Sequence, residues 1–110
     1  MPRFEILKKP ISQNMLEPPL IKVTFENGEQ DFFELSPIKT NGQPPKGCNY
    51  LGRLRNSPST SSIAVTGCLD KPGDSLEITM LSEHSNHRMF TIDYYGNTEI
   101  IEPPNPHNSN

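Results

Sequence analysis

The chain has 110 residues, 32% of them hydrophobic, and its formal net charge at pH 7 is −3. This length suits one domain with a small core, and the interspersed charges lack the clustered basic face of a nucleic-acid-binding protein. No apolar stretch approaches the roughly 20 residues that a membrane-spanning helix needs. We therefore expect a single β-domain over residues 1–110, with no membrane span and no nucleic-acid partner.

The N-terminal third of the chain predicts an irregular arm followed by a β-hairpin. We expect residues 1–19 to be irregular apart from one short strand within residues 4–7, which ends before Pro10. Apolar and polar residues then alternate through residues 20–35, which is typical of half-buried strands. Asn27 and Gly28 interrupt this pattern, and both tolerate the positive φ that a tight hairpin turn requires.

The middle of the chain predicts two strands that each carry a cysteine. Residues 36–47 are rich in proline, glycine and polar side chains and form a connection. Residues 48–54 place their apolar side chains on one face of a strand. Residues 62–68 form the next strand, after a polar loop at residues 56–61.

Cys48 and Cys68 are the two cysteines of the chain. A small core benefits from a covalent link, and a disulfide closing this loop would stabilise the fold by roughly 3 kcal/mol because it restricts the unfolded chain. The alternative is a pair of buried free thiols in a cytosolic protein. We interpret the pair as a disulfide, which implies an oxidising compartment and a secreted protein.

The C-terminal third predicts further strands separated by turns. Lys-Pro-Gly-Asp at residues 71–74 has the residues that a β-turn favours. Residues 76–80 and 90–94 alternate between apolar and polar side chains, and a Gly-Asn turn leads into the strand at residues 100–101. Residues 103–110 form a polar tail, which we expect to be mobile.

Short strands at regular spacing, with turn residues between them, favour an all-β fold. We predict a small antiparallel sandwich or partly closed barrel of about six to eight short strands, held by one disulfide.

The sequence contains no pattern that indicates catalysis. His84 and His87 lie three residues apart, a spacing that could bind zinc on a helix. Their flanking segments are predicted strands, so we interpret both as exposed histidines of a loop, and His107 as a solvated residue of the tail. Nucleophile-elbow, zinc-protease and phosphate-loop motifs are absent. We expect no enzymatic activity, no metal and no cofactor.

A family resemblance is carried by the segment from Cys48 to Pro103. It combines a C-x-Y-x-G motif (Cys48, Tyr50, Gly52), a loop, a serine-plus-aliphatic strand, a second cysteine at Cys68 and a final strand ending in Ile-Glu-Pro. This arrangement resembles the propeptide domain of the reprolysin (adamalysin) zinc metalloproteases. Residues 21–37 also resemble the opening hairpin of that domain.

The resemblance implies a non-catalytic propeptide-like module that folds beside, chaperones or inhibits a reprolysin-type metalloprotease. The sequence departs from the family by lacking a switch cysteine after Pro103, a convertase site of the Arg-x-x-Arg type and the protease domain itself. Inhibition would therefore have to come from surface complementarity. Strand edges and the loops at residues 36–47 and 82–88 are the expected contact surfaces.

Two alternative functions follow from the predicted fold. A small β-barrel can carry an apolar ligand such as a pigment or lipid, and open sheet edges can drive self-assembly into a homo-oligomer. Strict alternation places Phe32 opposite Phe33, so one of the two faces outward. The aromatic residues that could line a ligand site are Phe25, Phe32, Phe33, Tyr94 and Tyr95. The candidate contacts for a ligand or partner are Phe32, Tyr94, Tyr95, His84 and His87.

Overall fold

The computed structural model describes residues 2–12, 18–38, 48–57, 61–81 and 88–101, which form strands, turns and short connections. No helix in these ranges is long and apolar enough to cross a membrane. The strands are β1 (Arg3–Lys8), β2 (Leu20–Thr24), β3 (Gln30–Pro37), β4 (Asn49–Leu54), β5 (Ser62–Thr66), β6 (Ser75–Leu81), β7 (Met89–Asp93) and β8 (Thr98–Ile101).

Each strand pairs antiparallel with the next one along the chain, so a single eight-stranded sheet has the order β1 to β8. The sheet curls into a nearly closed barrel, with β1 and β8 as its two edges. The rings of Phe4 on β1 and Phe90 on β7 meet edge to face, with centroids 5.0 Å apart. The predicted all-β fold is confirmed, and it takes the form of the partly closed barrel.

The period-2 pattern of the strands separates an inner face from an outer face of the sheet. Cross-strand pairing places Ile21, Phe33 and Leu54 side by side on the inner face. The side chains of this face form one buried cluster, and the hydrophobic effect of their burial is the main force that holds the barrel together. Its members are Phe4, Ile21, Val23, Phe33, Leu35, Cys48, Tyr50, Leu54, Ile63, Val65, Leu69, Leu76, Ile78, Phe90 and Ile92.

The predicted hairpin is formed by β2 and β3. Gly28 has a φ of +88°, and its amide donates a hydrogen bond of 2.9 Å to the carbonyl oxygen of Phe25. The Asn27 side chain accepts a further bond of 2.9 Å from the Glu29 amide. The predicted turn is therefore confirmed in position, with Gly28 in the positive-φ conformation and with Glu26 and Asn27 as the central residues of the bonded turn.

The N-terminal arm is more ordered than the sequence suggested. Residues 3–8 form β1, which is longer than the short strand expected within residues 4–7. The arm then crosses to the turn between β5 and β6, where the carbonyl oxygen of Pro10 accepts a bond of 2.7 Å from the Leu69 amide. The Ser12 amide donates to the Asp70 carboxylate at 2.9 Å, and this bond lowers the pKa of Asp70.

The predicted disulfide joins Cys48 and Cys68, whose Cα atoms lie 5.5 Å apart. Cys48 immediately precedes β4 and Cys68 follows β5, so the bond links the same end of two paired strands. Gly52 on β4 allows this strand to pack closely against the Leu35 side chain of β3, because a Cβ at position 52 would lie only 2.6 Å from Cδ2 of Leu35. The disulfide is compatible with an extracellular location.

Some predicted segments have different limits in the structure. The connection expected at residues 36–47 begins later, because β3 continues to Pro37. Residues 39–47, most of the expected loop at 82–88 and the predicted tail at 103–110 lie outside the described ranges.

Candidate binding surface

The three described members of the predicted contact set do not converge on one site. Phe32 lies on the outer face of β3, near the start of that strand. Tyr94 and Tyr95 follow the end of β7, which runs in the same direction as β3, so they lie at the opposite end of the barrel. The other two members, His84 and His87, lie outside the described residues.

The tyrosine pair sits on a well-bonded turn. The Asp93 carboxylate accepts bonds of 2.9 Å from the amides of Tyr95 and Asn97 and one of 3.0 Å from the Asn97 side chain. These bonds lower the pKa of Asp93, and the bond from the Asn97 side chain has the largest effect. Lys9 places its ammonium group 3.6 Å from the ring centroid of Tyr94, and Tyr95 is 72% exposed. The turn thus presents one covered and one open aromatic ring.

Phe32 is partly covered by an arginine. The guanidinium carbon of Arg55 lies 4.7 Å from the centroid of the Phe32 ring, within the range of a cation–π contact. The same guanidinium group pairs with Glu34, with Nε 3.5 Å from Oε2. The Arg55 amide also donates to the carbonyl oxygen of Phe32 at 2.8 Å. Both ends of Arg55 are therefore held against the outer face of β3.

A buried carboxylate supports this arrangement from the inner face. Asp31 is only 6% exposed and lies in the inner row of β3, opposite Val23. It accepts bonds from the Phe32 amide at 2.7 Å and from the Asn56 side chain at 3.0 Å. Because Asn56 follows Arg55, the Asp31 carboxylate anchors the chain at the point where Arg55 turns over Phe32.

The outer side of β3 and β4 forms an open groove of about 500 Å³. Leu51 supplies an apolar wall, and Ser36 and the charged side chains supply polar groups. Arg53 is exposed, and among the described residues its guanidinium group makes no hydrogen bond or ion pair. The lining residues are Glu34, Ser36, Leu51, Arg53, Leu54 and Arg55.

A row of four apolar residues and one threonine crosses the outer face from this groove to the sheet edge. Successive strands pair Leu51 with Ala64, Ala64 with Thr79, Thr79 with Met89 and Met89 with Ile101. We call these five residues the outer row. Each is half-buried, and the row spans about 19 Å because neighbouring strands lie about 4.8 Å apart. Its members are Leu51, Ala64, Thr79, Met89 and Ile101.

The rows beside the outer row are mostly polar. On one side Thr66 pairs with Glu77, which pairs with Thr91. On the other side Glu34 pairs with Arg53 and Arg53 with Ser62, and this row then ends in the apolar Leu81. An apolar strip with a polar margin, including arginine, has the composition of a protein-binding surface.

The outer row was not predicted from the sequence, because its members come from five separate strands. Each strand shows at most one of them at an outward position, where a single apolar residue is ordinary. Only the cross-strand register brings them into line. The available signal was the alternation within each strand, which gives apolar residues at outward positions at Leu51, Ala64, Met89 and Ile101.

The described residues contain no group of three or more His, Cys, Asp or Glu side chains placed to hold a metal ion. No family model, no curated protein and no solved structure matches this chain. The resemblance to reprolysin propeptides therefore stays a prediction from the motif.

Proposed function

We propose that this chain is a secreted, non-catalytic binding module that recognises a protein partner through the outer row and the groove beside it. The observation that supports the proposal is the contrast between the two faces of the sheet. An eight-stranded barrel has an interior just wide enough for side chains or one small ligand, and here the inner side chains pack against one another in a single cluster. The apolar residues left for a partner are on the outside.

The proposed partner is the catalytic domain of a reprolysin-type metalloprotease, which this module would chaperone or inhibit. The C-x-Y-x-G motif supports that choice, and the outer surface supports binding by complementarity. A stable complex requires about 800 Å² of buried surface on each partner. The outer row would supply the apolar centre of such an interface, and the groove arginines would supply part of its margin.

The carrier alternative has less support. The aromatic residues expected to line a ligand site are spread over the molecule: Phe33 is buried in the inner cluster, Phe32 is on the outer face, and Tyr94 and Tyr95 are on a turn. A single ligand of ordinary size could not contact all of them. Self-assembly is favoured by one observation, the 42% exposure of Ile100 on the edge strand β8.

Titration calorimetry of the purified protein with a recombinant reprolysin-type catalytic domain tests the proposal, together with the rate of peptide hydrolysis by that domain. We expect a one-to-one complex and slower hydrolysis. Ala64→Glu places a charge within the outer row, between Leu51 and Thr79, and should weaken binding at least about tenfold, since an unpaired buried charge is costly.

Thr66→Glu is the matched control. It adds the same charge to the same strand and face, two residues away in an exposed polar row, and should leave the affinity nearly unchanged. Absence of binding by the unaltered protein, or equal effects of the two variants, would contradict the proposal. Concentration-dependent sedimentation that Ile100→Lys abolishes would instead support self-assembly.

A further inference from the structure

The two arginines of the groove are held in different ways. Arg55 is engaged by the Phe32 ring and by Glu34, so its charge is already balanced within the molecule. Arg53 lines the same groove without a hydrogen-bonding partner among the described residues, although it pairs in register with Glu34 across the strands. The groove therefore contains one guanidinium group with its donors available.

The charges around the groove favour an anion. Its lining includes two arginines and one glutamate, which gives a local excess of one positive charge in a chain whose net charge is −3. A guanidinium group is planar and presents paired N–H donors that match the two oxygens of a carboxylate. Arg53 is thus suited to a bidentate contact with a carboxylate.

The groove also provides an apolar contact beside that charge. Leu51 lies two residues before Arg53 on the same face of β4, and backbone positions two residues apart are separated by about 7 Å along a strand. The groove has a volume of about 500 Å³ and is open to solvent, with four exposed residues among the six that line it. A ligand that carries a carboxylate next to an apolar body can contact both residues.

We infer that the groove between β3 and β4 binds a carboxylate attached to an apolar body, with Arg53 as the charge partner and Leu51 as the apolar contact. Two sources have this chemistry, a free organic acid and an acidic side chain of a protein partner. In the second case the inference rests on the proposed function and names the group of the partner that the groove recognises.

Amide chemical shifts of the ¹⁵N-labelled protein test this inference with defined probes. The free-acid probe is 4-phenylbutyrate, and its neutral control is 4-phenylbutyramide. The peptide probe is acetyl-Leu-Glu-Leu-amide, and its control has Gln in place of Glu. We expect saturating shifts at Ser36, Leu51 and Arg53 with at least one acid, and at least about tenfold weaker binding of its neutral control.

The response to the two acids identifies the source. Binding of phenylbutyrate alone assigns the groove to small organic acids, and binding of the peptide alone assigns it to an acidic side chain. Saturating shifts with both acids support the shared chemistry. No saturating shift with either acid, or equal affinity for an acid and its neutral control, would overturn the inference.

Arg53→Gln should weaken binding of the acid at least about tenfold while leaving affinity for the neutral control unchanged. Arg3→Gln is the matched control, since Arg3 is an exposed arginine on β1, outside the groove. Unchanged affinity of the Arg53→Gln variant would contradict the role of Arg53. These titrations use no protein partner, so their failure would leave the Ala64→Glu test of the proposed function intact.

Discussion

The inner and outer faces of this sheet are built from alternating residues of the same strands, yet their side chains have different surroundings. On the inner face, side chains such as Phe33 and Phe90 are fully buried within one apolar cluster. On the outer face, Leu51 and Met89 belong to a half-buried apolar row, and Arg53 is exposed beside it. The inner face stabilises the fold, and we propose that the outer face binds a partner, so substitutions on the two faces should affect stability and binding separately.

The largest expected effect comes from Phe90→Ala. Removing this ring leaves a cavity beside Phe4 and should lower the free energy of unfolding by about 3–5 kcal/mol. Met89→Ala is the neighbouring control on the outer face, and it should cost less than about 1 kcal/mol. Urea denaturation of the two variants measures the difference. Equal losses would contradict the division between the faces.

Replacing both cysteines by alanine should have the next largest effect. The positions are 20 residues apart, and loss of this constraint on the unfolded chain should cost about 3 kcal/mol. Urea denaturation with and without reductant checks this, because reductant should destabilise the unaltered protein and leave the double variant unchanged. A loss below about 1 kcal/mol would show that the inner cluster stabilises the barrel without the disulfide.

Asp31→Ala tests how much a polar side chain contributes to the stability of the otherwise apolar inner face. Its carboxylate accepts bonds from the Phe32 and Asn56 amides and from the Asn56 side chain, so its loss should cost about 2 kcal/mol. Asp31→Asn retains an acceptor oxygen and should cost less. Thermal denaturation of both variants gives the order, and equal stability of Asp31→Ala and the unaltered protein would show that these bonds contribute nothing.

The smallest expected effect concerns acid stability and Asp93. Hydrogen bonds hold the folded pKa of Asp93 below its usual value of 3.8, so the unfolded chain takes up the proton first as the pH falls. The contribution of Asp93 is therefore present above about pH 4 and is lost as the pH falls through the folded pKa. Asp93→Asn should make the fall in melting temperature between about pH 5 and pH 2 slightly shallower. An unchanged acid profile would contradict the role of these bonds.

Local features of the fold were predictable because they depend on neighbouring residues. Alternation identified the strands, and Asn27-Gly28 identified the hairpin turn through its tolerance of positive φ. The same alternation predicted that one of Phe32 and Phe33 faces outward, and in the structure Phe33 is buried while Phe32 lies on the outer face. Features that depend on contacts distant in sequence were not predictable. One example is the hydrogen bond from the Leu69 amide to the Pro10 carbonyl oxygen, which holds the N-terminal arm against the turn between β5 and β6.

The candidate site shows the same limit. Phe32 was predicted as a candidate contact residue, but its interaction with Arg55 depends on the pairing of β3 with β4. The outer row depends on the register of five strands, which one sequence does not reveal. Asp31 gave no signal, because an aspartate at the start of a strand is usually exposed and its partner Asn56 lies 25 residues away.

Binding on the outer surface is supported by an inner face that is filled by side chains, and whether that face is closed to ligands can be tested directly. Methyl spectra of the ¹³C-labelled protein under xenon pressure report on this, because xenon enters apolar cavities. We expect no saturating shift at the buried methyl groups of Ile63, Leu76 and Ile78, and this result would support the proposed binding surface on the outer face. Saturating shifts at these methyl groups would reveal an accessible interior and would favour a carrier of apolar ligands.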